Sequence, residues 1–399
     1  MEKKTNTPAL RFRGFNGPWA NEKLGNVVEI IMGQSPDGNT YSDTPNGFIL
    51  VQGNADLENG WVKPRIWTTQ VTKMAKAGDL IMSVRAPAGA MGKTAYDVVL
   101  GRGVAAIKGN AFIYHSLVKM DNLGYWTKFA SGSTFDSLNS DNIQEAEISI
   151  PPMAEQEIVG KFFDNIDRQI AFGEQKIKKL EQFRQAMLTK LFPAEGASEP
   201  ALRFRGCSGP WKKAAIKELS TFISKGTTPL DKSGKGDINF IKVENIDNNT
   251  GAIHISQKIT LEEHNGYLKR SQLKENDILF SIAGTLGRVA IVTPDILPAN
   301  TNQALAIIRL KDNDLYYIKT ILCGPVVKEF LRENPTVGAQ PNLSLAQVGG
   351  LEIMLPPSIE EQKKIGDFFH RLDSYLSLQK EKLEKMRLLK AALLDKLFV

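Results

Sequence analysis

Two long stretches of the chain carry apolar residues at helical spacing. After Pro151-Pro152, and again after Pro356-Pro357, apolar side chains recur at steps of three and four residues, and no proline interrupts either run. Such steps describe one continuous stripe on a long helix. An isolated helix would expose this stripe, so we predict that the two helices pack on each other as an antiparallel coiled coil. The alternative is that each helix covers only its own domain. The residues assigned to the helix seam are Phe162, Ile166, Ile177, Leu180, Met187, Phe368, Leu372, Leu383, Met386 and Leu393.

The regions before the two helices have a different pattern. Short β-prone runs at 47–51, 79–83 and 277–281 are bounded by glycine, asparagine, aspartate or proline. This pattern is typical of short strands joined by loops. Each region therefore predicts a mixed domain of strands and loops, and together with the helices the fold class is α+β.

The chain contains an internal duplication. The segment Pro8–Gly14 (PALRFRG) returns as Pro200–Gly206, and the segment that opens the first helix returns at the start of the second. A period of about 200 residues is far too long for a solenoid, so it indicates two homologous halves with pseudo-two-fold symmetry. The predicted organisation is a domain at 8–150, a central helix at 151–192, a linker at 193–199, a second domain at 200–355 and a C-terminal helix at 356–399.

The composition is that of an ordinary globular protein with a mild basic excess. The 399 residues are 42% hydrophobic and 24% charged, with a net charge of +6. These values exclude wholesale disorder and are compatible with a polyanionic partner, without requiring one. The apolar runs are shorter than a membrane span needs, and Met1–Thr5 leads into polar sequence, so we expect neither a membrane helix nor a signal peptide. Two cysteines cannot form a disulfide framework, and we expect the reducing cytoplasm.

No residue pattern indicates a catalytic or metal site. The four histidines and two cysteines are scattered along the chain, without the spacing that a metal site requires. Gly92-Lys93-Thr94 resembles the end of a phosphate-binding loop, but Pro87 stands where that pattern needs glycine. The two Pro-Pro motifs lack the flanking residues of an amino-methyltransferase motif. We therefore expect a non-catalytic chain that binds no metal and no cofactor.

One series of motifs resembles a known protein family. Gly338–Ser344 (GAQPNLS) is followed by Leu355-Pro356-Pro357 and then by Glu361–Ile365 (EQKKI). This order resembles the end of a target-recognition domain and the start of a conserved helix in specificity subunits of type I restriction–modification systems. The first half carries a weaker version, without the glutamine and the Pro-Asn pair, in Gly132-Ser133-Thr134, Leu138, Ile150-Pro151-Pro152 and Glu155-Gln156.

The resemblance implies a scaffold that reads double-stranded DNA. Each target-recognition domain would read one half of a bipartite, asymmetric site, and the helices would set the spacing between the halves. The helices would also dock two methyltransferase subunits, and two restriction (motor-nuclease) subunits would join for cleavage. The resemblance further implies that S-adenosylmethionine, ATP and Mg bind only to these partner subunits, which carry the adenine methyltransferase and ATP-dependent endonuclease activities.

Polar side chains in glycine-containing loops are the candidates for DNA contacts. Direct reading of bases requires hydrogen-bond donors and acceptors such as Arg, Lys, Asn and Gln, and neighbouring glycines let the backbone approach phosphates closely. Any one such residue is also compatible with an ordinary solvated turn. The candidates are Gln34, Ser35, Gln52, Asn54, Arg85, Lys93, Lys225, Thr227, Thr228, Lys242, Asn245, Arg288, Asn302 and Gln303.

Two other classes of function stay open at this point. One is a protein-interaction scaffold in which a long coiled coil joins two β-rich modules and no DNA is bound. Because phosphate contacts impose a steep salt dependence, the salt dependence of duplex DNA binding separates this class from a DNA reader. The other is a fused enzyme whose site is not recognised, which would methylate or cleave DNA on its own.

Overall fold

The chain folds into two compact units, each with a globular region and segments of both long helices. In the computed structural model, residues 6–129, 137–231, 233–248, 250–333 and 342–399 are described. The first unit comprises Met1–Gln175 with Lys382–Val399, and the second comprises Lys176–Glu381. The predicted organisation treated the helices as separate segments, whereas each compact unit takes in half of each helix.

The first globular region contains thirteen strands among its described residues and ends in the first long helix. The strands are β1 (Ala20–Lys23), β2 (Glu29–Met32), β3 (Tyr41–Ser42), β4 (Phe48–Val51), β5 (Leu57–Glu58), β6 (Trp61–Val62), β7 (Ile66–Thr68), β8 (Lys73–Ala75), β9 (Leu80–Ser83), β10 (Met91–Lys93), β11 (Val98–Leu100), β12 (Val104–Lys108) and β13 (Glu147–Ile150). The α-helices are α1 (Leu24–Val27), α2 (Ala111–Asn122), α3 (Ser140–Gln144) and α4 (Met153–Leu191), and short 3-10 helices span Gly38–Thr40, Asn54–Asp56 and Tyr125–Phe129.

The second globular region repeats this order with fewer strands. The strands are β14 (Lys212–Ala215), β15 (Ser220–Lys225), β16 (Ile238–Ile241), β17 (Gln257–Ile259), β18 (Ile278–Ser281), β19 (Val289–Ile291), β20 (Ala299–Thr301), β21 (Leu305–Leu310) and β22 (Glu352–Leu355). The α-helices are α5 (Ile216–Leu219), α6 (Leu261–Asn265), α7 (Leu315–Leu322), α8 (Pro325–Glu333), α9 (Leu345–Gly350) and α10 (Ile359–Leu397), and 3-10 helices span Val243–Asn245, Lys269–Ser271 and Pro294–Ile296.

The two regions share a sheet plan. In the first, one sheet has the order β2-β12-β9-β10-β6-β5 and another has the order β3-β7-β4-β11-β8. In the second, the corresponding sheets are β15-β21-β18-β19 and β17-β16-β20. A separate antiparallel pair, β1-β13 or β14-β22, ties the entry of each region to the strand that precedes its long helix. The mixed α+β class and the duplication that the sequence predicts are confirmed.

Each hydrophobic core is closed by a phenylalanine from the end of the helix that the other half supplies. In the first unit Phe398, after α10, stacks on Phe112 of α2 with ring centroids 4.9 Å apart. In the second unit Phe192, after α4, stacks on Tyr317 of α7 at 5.7 Å. The two phenylalanines occupy equivalent places in the repeat, so the exchange of helix ends is reciprocal.

The long helices run antiparallel where they meet within each unit. In the first unit Lys390 of α10 pairs with Asp167 of α4 at 2.5 Å. In the second unit Arg184 of α4 pairs with Asp373 of α10 at 2.5 Å. Asp167 and Asp373 are equivalent in the repeat, as are Arg184 and Lys390. Each unit therefore carries the same cross-helix ion pair with the two helices in exchanged roles.

A second pair of cross-helix contacts is equivalent in position but opposite in charge. Glu174 pairs with Arg387 in the first unit, and Glu181 pairs with Lys380 in the second, each at 2.6 Å. A helix α4 that paired with a second copy of itself in this register would set Glu174 against Glu181. Like charges at neighbouring positions are destabilising, so these contacts favour pairing of the two unlike helices.

The predicted helix seam is buried or half-buried at every position, but it is not the deepest face of the helices. All ten predicted seam residues lie below the exposed class. The fully buried residues near the helix starts are the next ones along, Phe163 and Phe369, each 0% exposed and packed into the core of its own region. Each helix therefore packs on its own domain near its start and contacts the other helix within each unit, so neither helix covers only its own domain.

The repeated PALRFRG segments brace the globular regions to the helices. Arg11 donates through Nε and Nη2 to both oxygens of Glu155 at 2.7 Å, and Arg203 does the same to Glu361 at 2.8 Å. Both glutamates are 1% exposed, and these bonds raise the pKa of each arginine. The residue before each arginine donates its backbone N–H to the last turn of the other helix, at 2.9 Å in the first unit and 2.8 Å in the second. Each segment thus joins the start of one helix to the end of the other.

Candidate nucleic-acid interface

Three loops converge at the strand ends of the first region. Strands β4 and β11 are parallel, so their carboxyl ends lie side by side, and the loop that leaves β2 contacts the end of β11. Gln34 N donates to the last carbonyl of β11 at 2.9 Å, Gly101 N donates to the last carbonyl of β4 at 2.8 Å, and Arg102 N donates to Ser35 Oγ at 3.2 Å. We call residues 33–36, 52–54 and 101–103 the first platform.

The second region builds the same arrangement from equivalent strands. Strands β16 and β20 are parallel, and the loop that leaves β15 crosses their ends. Thr227 N donates to the last carbonyl of β20 at 3.0 Å, Asn302 N donates to the last carbonyl of β16 at 3.3 Å, and Thr228 Oγ1 donates to Gln303 Oε1 at 2.5 Å. We call residues 226–229, 242–245 and 302–304 the second platform.

A glycine at the first position of each crossing loop permits this close approach. A Cβ on Gly33 would lie 2.1 Å from the carbonyl oxygen of Gly101, and one on Gly226 would lie 1.9 Å from that of Thr301. Neither distance is compatible with a side chain. The glycine of the repeated Gly-x-[Ser/Thr]-Pro loops is therefore required by the backbone contact that forms each platform.

The platforms bring together ten of the fourteen predicted DNA-contact residues. Of these ten, Gln34, Thr228 and Gln303 are exposed, Asn245 is buried and the other six are half-buried. Lys225 is exposed at the end of β15, beside the second platform. The platform members are Gln34, Ser35, Gln52, Asn54, Thr227, Thr228, Lys242, Asn245, Asn302 and Gln303.

Arg85 flanks the first platform rather than lying on it. It is exposed and follows Val84, whose backbone N–H donates to the carbonyl oxygen of Gly103 at 2.9 Å. The equivalent place in the second region is held by Ala283. The two regions therefore differ in charge at this edge.

The Lys93 side chain has partners within the first unit. Its Nζ pairs with Asp164 of α4 at 2.5 Å and lies 4.2 Å from the centroid of the Tyr114 ring. Burial raises the pKa of Asp164, but hydrogen bonds from His115 and Lys93 outweigh it and lower that pKa to about 2, so the carboxylate stays ionised. The sequence did not foresee this partner, through which the Lys93 side chain links β10 to α4 within the first unit.

Asn245 and Arg288 hold the second platform in place instead of presenting donors to a ligand. Asn245 accepts a hydrogen bond from the backbone N–H of Lys242 at 2.8 Å and donates to Ser256 at 2.7 Å. Arg288 donates through Nη1 to the carbonyl oxygens of Val243 and Ile246, at 3.1 and 2.8 Å. Both residues were predicted as DNA contacts, and the structure assigns them to the support of the 242–246 loop.

Arg102 is an exposed cation of the first platform that is not among the DNA contacts predicted from the sequence. It is exposed, and its side chain has no hydrogen bond or ion pair within the described part of the chain. The sequence shows it only as Gly-Arg-Gly where the other half has Asn-Gln. The available signal is a cation between two glycines directly after a β-prone run.

The family motif after each domain is partly described. Residues 132–134 and 338–341 lie outside the described residues. Of the rest, Leu138 N donates to Val84 O and Leu343 N donates to Ile282 O, each at 2.8 Å. The described end of each motif thus makes the same backbone contact at the edge of its sheet.

The long helices expose apolar side chains at equivalent positions. In the first unit Phe172 of α4 and Leu389 of α10 are 68% and 56% exposed, and in the second unit Leu378 of α10 and Phe183 of α4 are 57% and 45% exposed. The repeat relates Phe172 to Leu378 and Phe183 to Leu389. Single exposed apolar residues are common, but here equivalent positions of the repeat are exposed in both units.

The described residues contain neither a group of metal-ligating side chains nor a helix long and apolar enough to cross a membrane. Neither Cys207 nor Cys323 forms a disulfide. His115 is buried against Asp164, and burial lowers its pKa. These features describe packing rather than a catalytic centre.

Comparison with known proteins gives consistent matches. A family model described as the type I restriction modification DNA specificity domain matches residues 16–182 and 209–387. The putative type I restriction enzyme MjaX specificity subunit of Methanocaldococcus jannaschii is 29% identical over 185 residues, which cover 43% of this chain and 42% of that protein. This match therefore spans less than half of that relative. The type I restriction enzyme EcoBI specificity subunit of Escherichia coli is 26% identical over 407 residues, 91% of this chain and 81% of that protein.

The fold also matches a solved structure over nearly its whole length. A type I restriction-modification S subunit from M. genitalium has a TM-score of 0.70 and 15% sequence identity, covering 98% of this chain and 99% of that one. At this identity the likeness bears on the fold alone.

Proposed function

The chain belongs to the type I restriction modification DNA specificity family, and from this premise we propose that it is the non-catalytic subunit that reads a bipartite, asymmetric DNA site. Each platform reads one block of the site. S-adenosylmethionine, ATP and Mg bind to partner subunits, and the chain itself carries no cofactor. Because the substrate is the cell's own and invading DNA, the complex acts in the cytoplasm.

The observation that carries this proposal is the repeated platform with unlike side chains. The backbone contacts that build the two platforms are equivalent, whereas the side chains at equivalent positions differ, as at Gln34 against Thr227 and Arg102 against Gln303. A shared scaffold with divergent loops is what two readers of different base sequences require. Arg, Gln, Asn and Thr are also the residue types that pair with base edges.

Salt-dependent binding tests DNA recognition against the protein-scaffold alternative. The chain in complex with its methyltransferase is titrated with duplex DNA at rising salt concentration. A protein that makes 6–10 phosphate contacts loses about 10³–10⁵ in affinity between 50 and 200 mM salt, and a loss of this order is expected. Absent or salt-independent binding would support the scaffold alternative, and methylation or cleavage by the chain alone would support the fused-enzyme alternative.

We further propose that the two exposed apolar surfaces of the helices each dock one methyltransferase subunit. The surfaces are equivalent in the repeat, so they bind two copies of the same partner. Phe172 and Glu174 are two residues apart, about 200° around the helix, so the apolar position lies away from the cross-helix ion pair. Two restriction subunits join this assembly for cleavage.

Replacing one apolar position should remove one methyltransferase copy. Phe172→Asp or Leu378→Asp alone is expected to reduce the assembly from two copies to one, and the double variant to none, because a charge is placed where an apolar contact forms. Native mass spectrometry of the coexpressed complex counts the copies. The matched control is Lys178→Asp on α4, about 240° around the helix from Phe172. Equal loss in the control, or two copies retained in the double variant, contradicts this docking surface.

The helices are proposed to set the gap between the two DNA blocks. Four residues inserted after Gly173 lengthen α4 by about 6 Å, the rise of one or two base pairs of B-DNA at about 3.4 Å each. The insertion variant is therefore expected to keep both blocks and to methylate sites with one or two more unspecified base pairs between them. Sequencing of methylated adenines measures the gap. An unchanged gap, or new bases in either block, would mean that the helices are not the ruler.

A further inference from the structure

Arg102 and Gln303 hold the same place on the two platforms. Each is the second residue after a parallel strand, β11 or β20. The residue before each, Gly101 or Asn302, donates its backbone N–H to the last carbonyl of the neighbouring parallel strand. Three residues after that donor, the next strand of the larger sheet begins, β12 at Val104 or β21 at Leu305. The two side chains therefore leave equivalent points of equivalent turns.

The backbone at Arg102 is fixed from both sides. Its N–H donates to Ser35 Oγ at 3.2 Å. Gly101 and Gly103 are buried, and a Cβ on Gly103 would lie 2.0 Å from the carbonyl oxygen of Gln52. The turn is thus locked between the two other loops of the first platform, so the direction in which the Arg102 side chain leaves the surface is set before any ligand binds.

The Arg102 side chain is free where the other basic candidates of the platforms are engaged. It is exposed and has no hydrogen bond or ion pair within the described ranges, whereas Arg288 donates to two carbonyls of its own domain. Lys242 Nζ lies 3.8 Å from Glu244 Oε1 and forms an ion pair with it. A cation exposed without a partner at the centre of three converging loops is poised for an external acceptor.

The equivalent residue of the second platform is prepared differently. Gln303 Oε1 already accepts a hydrogen bond from Thr228 Oγ1 at 2.5 Å, and this hydroxyl occupies the place that Ser35 holds in the first region. The amide nitrogen of Gln303 is left to donate outwards. The same position thus presents the guanidinium of Arg102 in the first region and the amide NH2 of Gln303 in the second.

We propose, on the basis of the DNA-reading function above, that Arg102 and Gln303 are equivalent specificity-determining residues and that Arg102 reads a guanine. The planar guanidinium donates two parallel hydrogen bonds that match O6 and N7 of guanine in the major groove, whereas a glutamine amide presents a carbonyl acceptor beside its NH2 donor and does not make two parallel donations. The block read by the first platform contains this guanine. The block read by the second platform has a different base at the corresponding position.

Reciprocal variants test the assignment in the intact complex. The chain is coexpressed with its methyltransferase, and methylated adenines are mapped by long-read sequencing for the native chain and for Arg102→Gln, Arg102→Lys and Gln303→Arg. Arg102→Gln and Arg102→Lys should each reduce the preference for guanine at one base pair by about 5- to 150-fold, the equivalent of the discrimination of one bidentate pair. Gln303→Arg should change one base pair in the other block and leave the first block intact.

The controls separate this inference from its premise. Arg13→Gln removes an exposed cation that lies outside the platforms and should leave the guanine requirement unchanged, and circular dichroism verifies that each variant is folded. A lower level of methylation with an unchanged motif in Arg102→Gln would show that Arg102 contacts a phosphate and would overturn the inference. The inference would also be overturned if the block altered by Arg102→Gln contains no guanine in the native motif. The same holds if the substitutions at Arg102 and Gln303 alter the same block. Failure of the native complex to methylate any two-block motif would instead refute the DNA-reading function itself.

Discussion

Glu361→Gln is expected to lower the free energy of unfolding of the second unit by about 3–5 kcal/mol, the cost of removing one partner of a buried ion pair. The Glu361 carboxylate is 1% exposed and accepts two hydrogen bonds from Arg203 at 2.8 Å. The glutamine retains one acceptor and places an amide NH2 against the guanidinium. Urea unfolding followed by circular dichroism measures the loss.

The neighbouring residue supplies the control for this prediction. Glu360 is exposed on the same turn of α10, so Glu360→Gln should change stability by only a few tenths of a kcal/mol, as exposed charges do. The equivalent Glu155→Gln should weaken the first unit to a similar extent. If both Glu361→Gln and Glu360→Gln unfold at the native midpoint, the repeated arginine–glutamate brace does not stabilise the fold.

Leu383→Asp is expected to disrupt the helix pair of the first unit. Leu383 is 8% exposed, and its Cδ1 would lie 3.2 Å from a Cβ on Gly173 of the facing helix. Truncation of a buried leucine alone costs about 2–5 kcal/mol, and an unpaired carboxylate at the same position adds the cost of desolvating a charge. Thermal unfolding and copurification with the methyltransferase should both show the loss.

A matched pair of variants distinguishes packing from a general effect of charge on α10. Lys382→Asp places the same new carboxylate on the exposed neighbouring position and should leave assembly intact. Leu383→Met keeps the apolar volume and should restore it, since swaps of this kind usually cost less than about 1.5 kcal/mol. Equal damage from Lys382→Asp and Leu383→Asp would remove Leu383 from the seam.

The long helices could be predicted from the sequence because their signal is local and sustained. The stripe after Pro151-Pro152 predicts a helix that the structure places at Met153–Leu191. The same stripe could not show that Phe163, rather than Phe162, is the deeper residue. Adjacent positions on a helix near its start face two different neighbours, the domain and the second helix, and periodicity alone does not say which neighbour lies closer.

The platform residues were predicted less well because their roles depend on contacts between distant segments. The local sequence does not distinguish Lys93 from Arg102. Lys93 pairs with Asp164 of α4, 71 residues further along the chain, whereas the exposed Arg102 has no partner among the described residues. Arg288 and Asn245 have the residue types of DNA readers but support a loop through backbone contacts. Residue type predicts what a side chain can bind, whereas the fold decides whether a partner within the chain already occupies it.

In the proposed function, one chain reads two unlike DNA blocks through two equivalent platforms. A genome-wide map of methylated adenines tests this directly, in cells that coexpress the native chain with its methyltransferase compared with cells that express the methyltransferase alone. Methylation is expected to depend on this chain and to occur at a motif of two different short blocks separated by a fixed number of unspecified base pairs. Methylation at a single uninterrupted motif, or methylation unchanged by the presence of this chain, would contradict it.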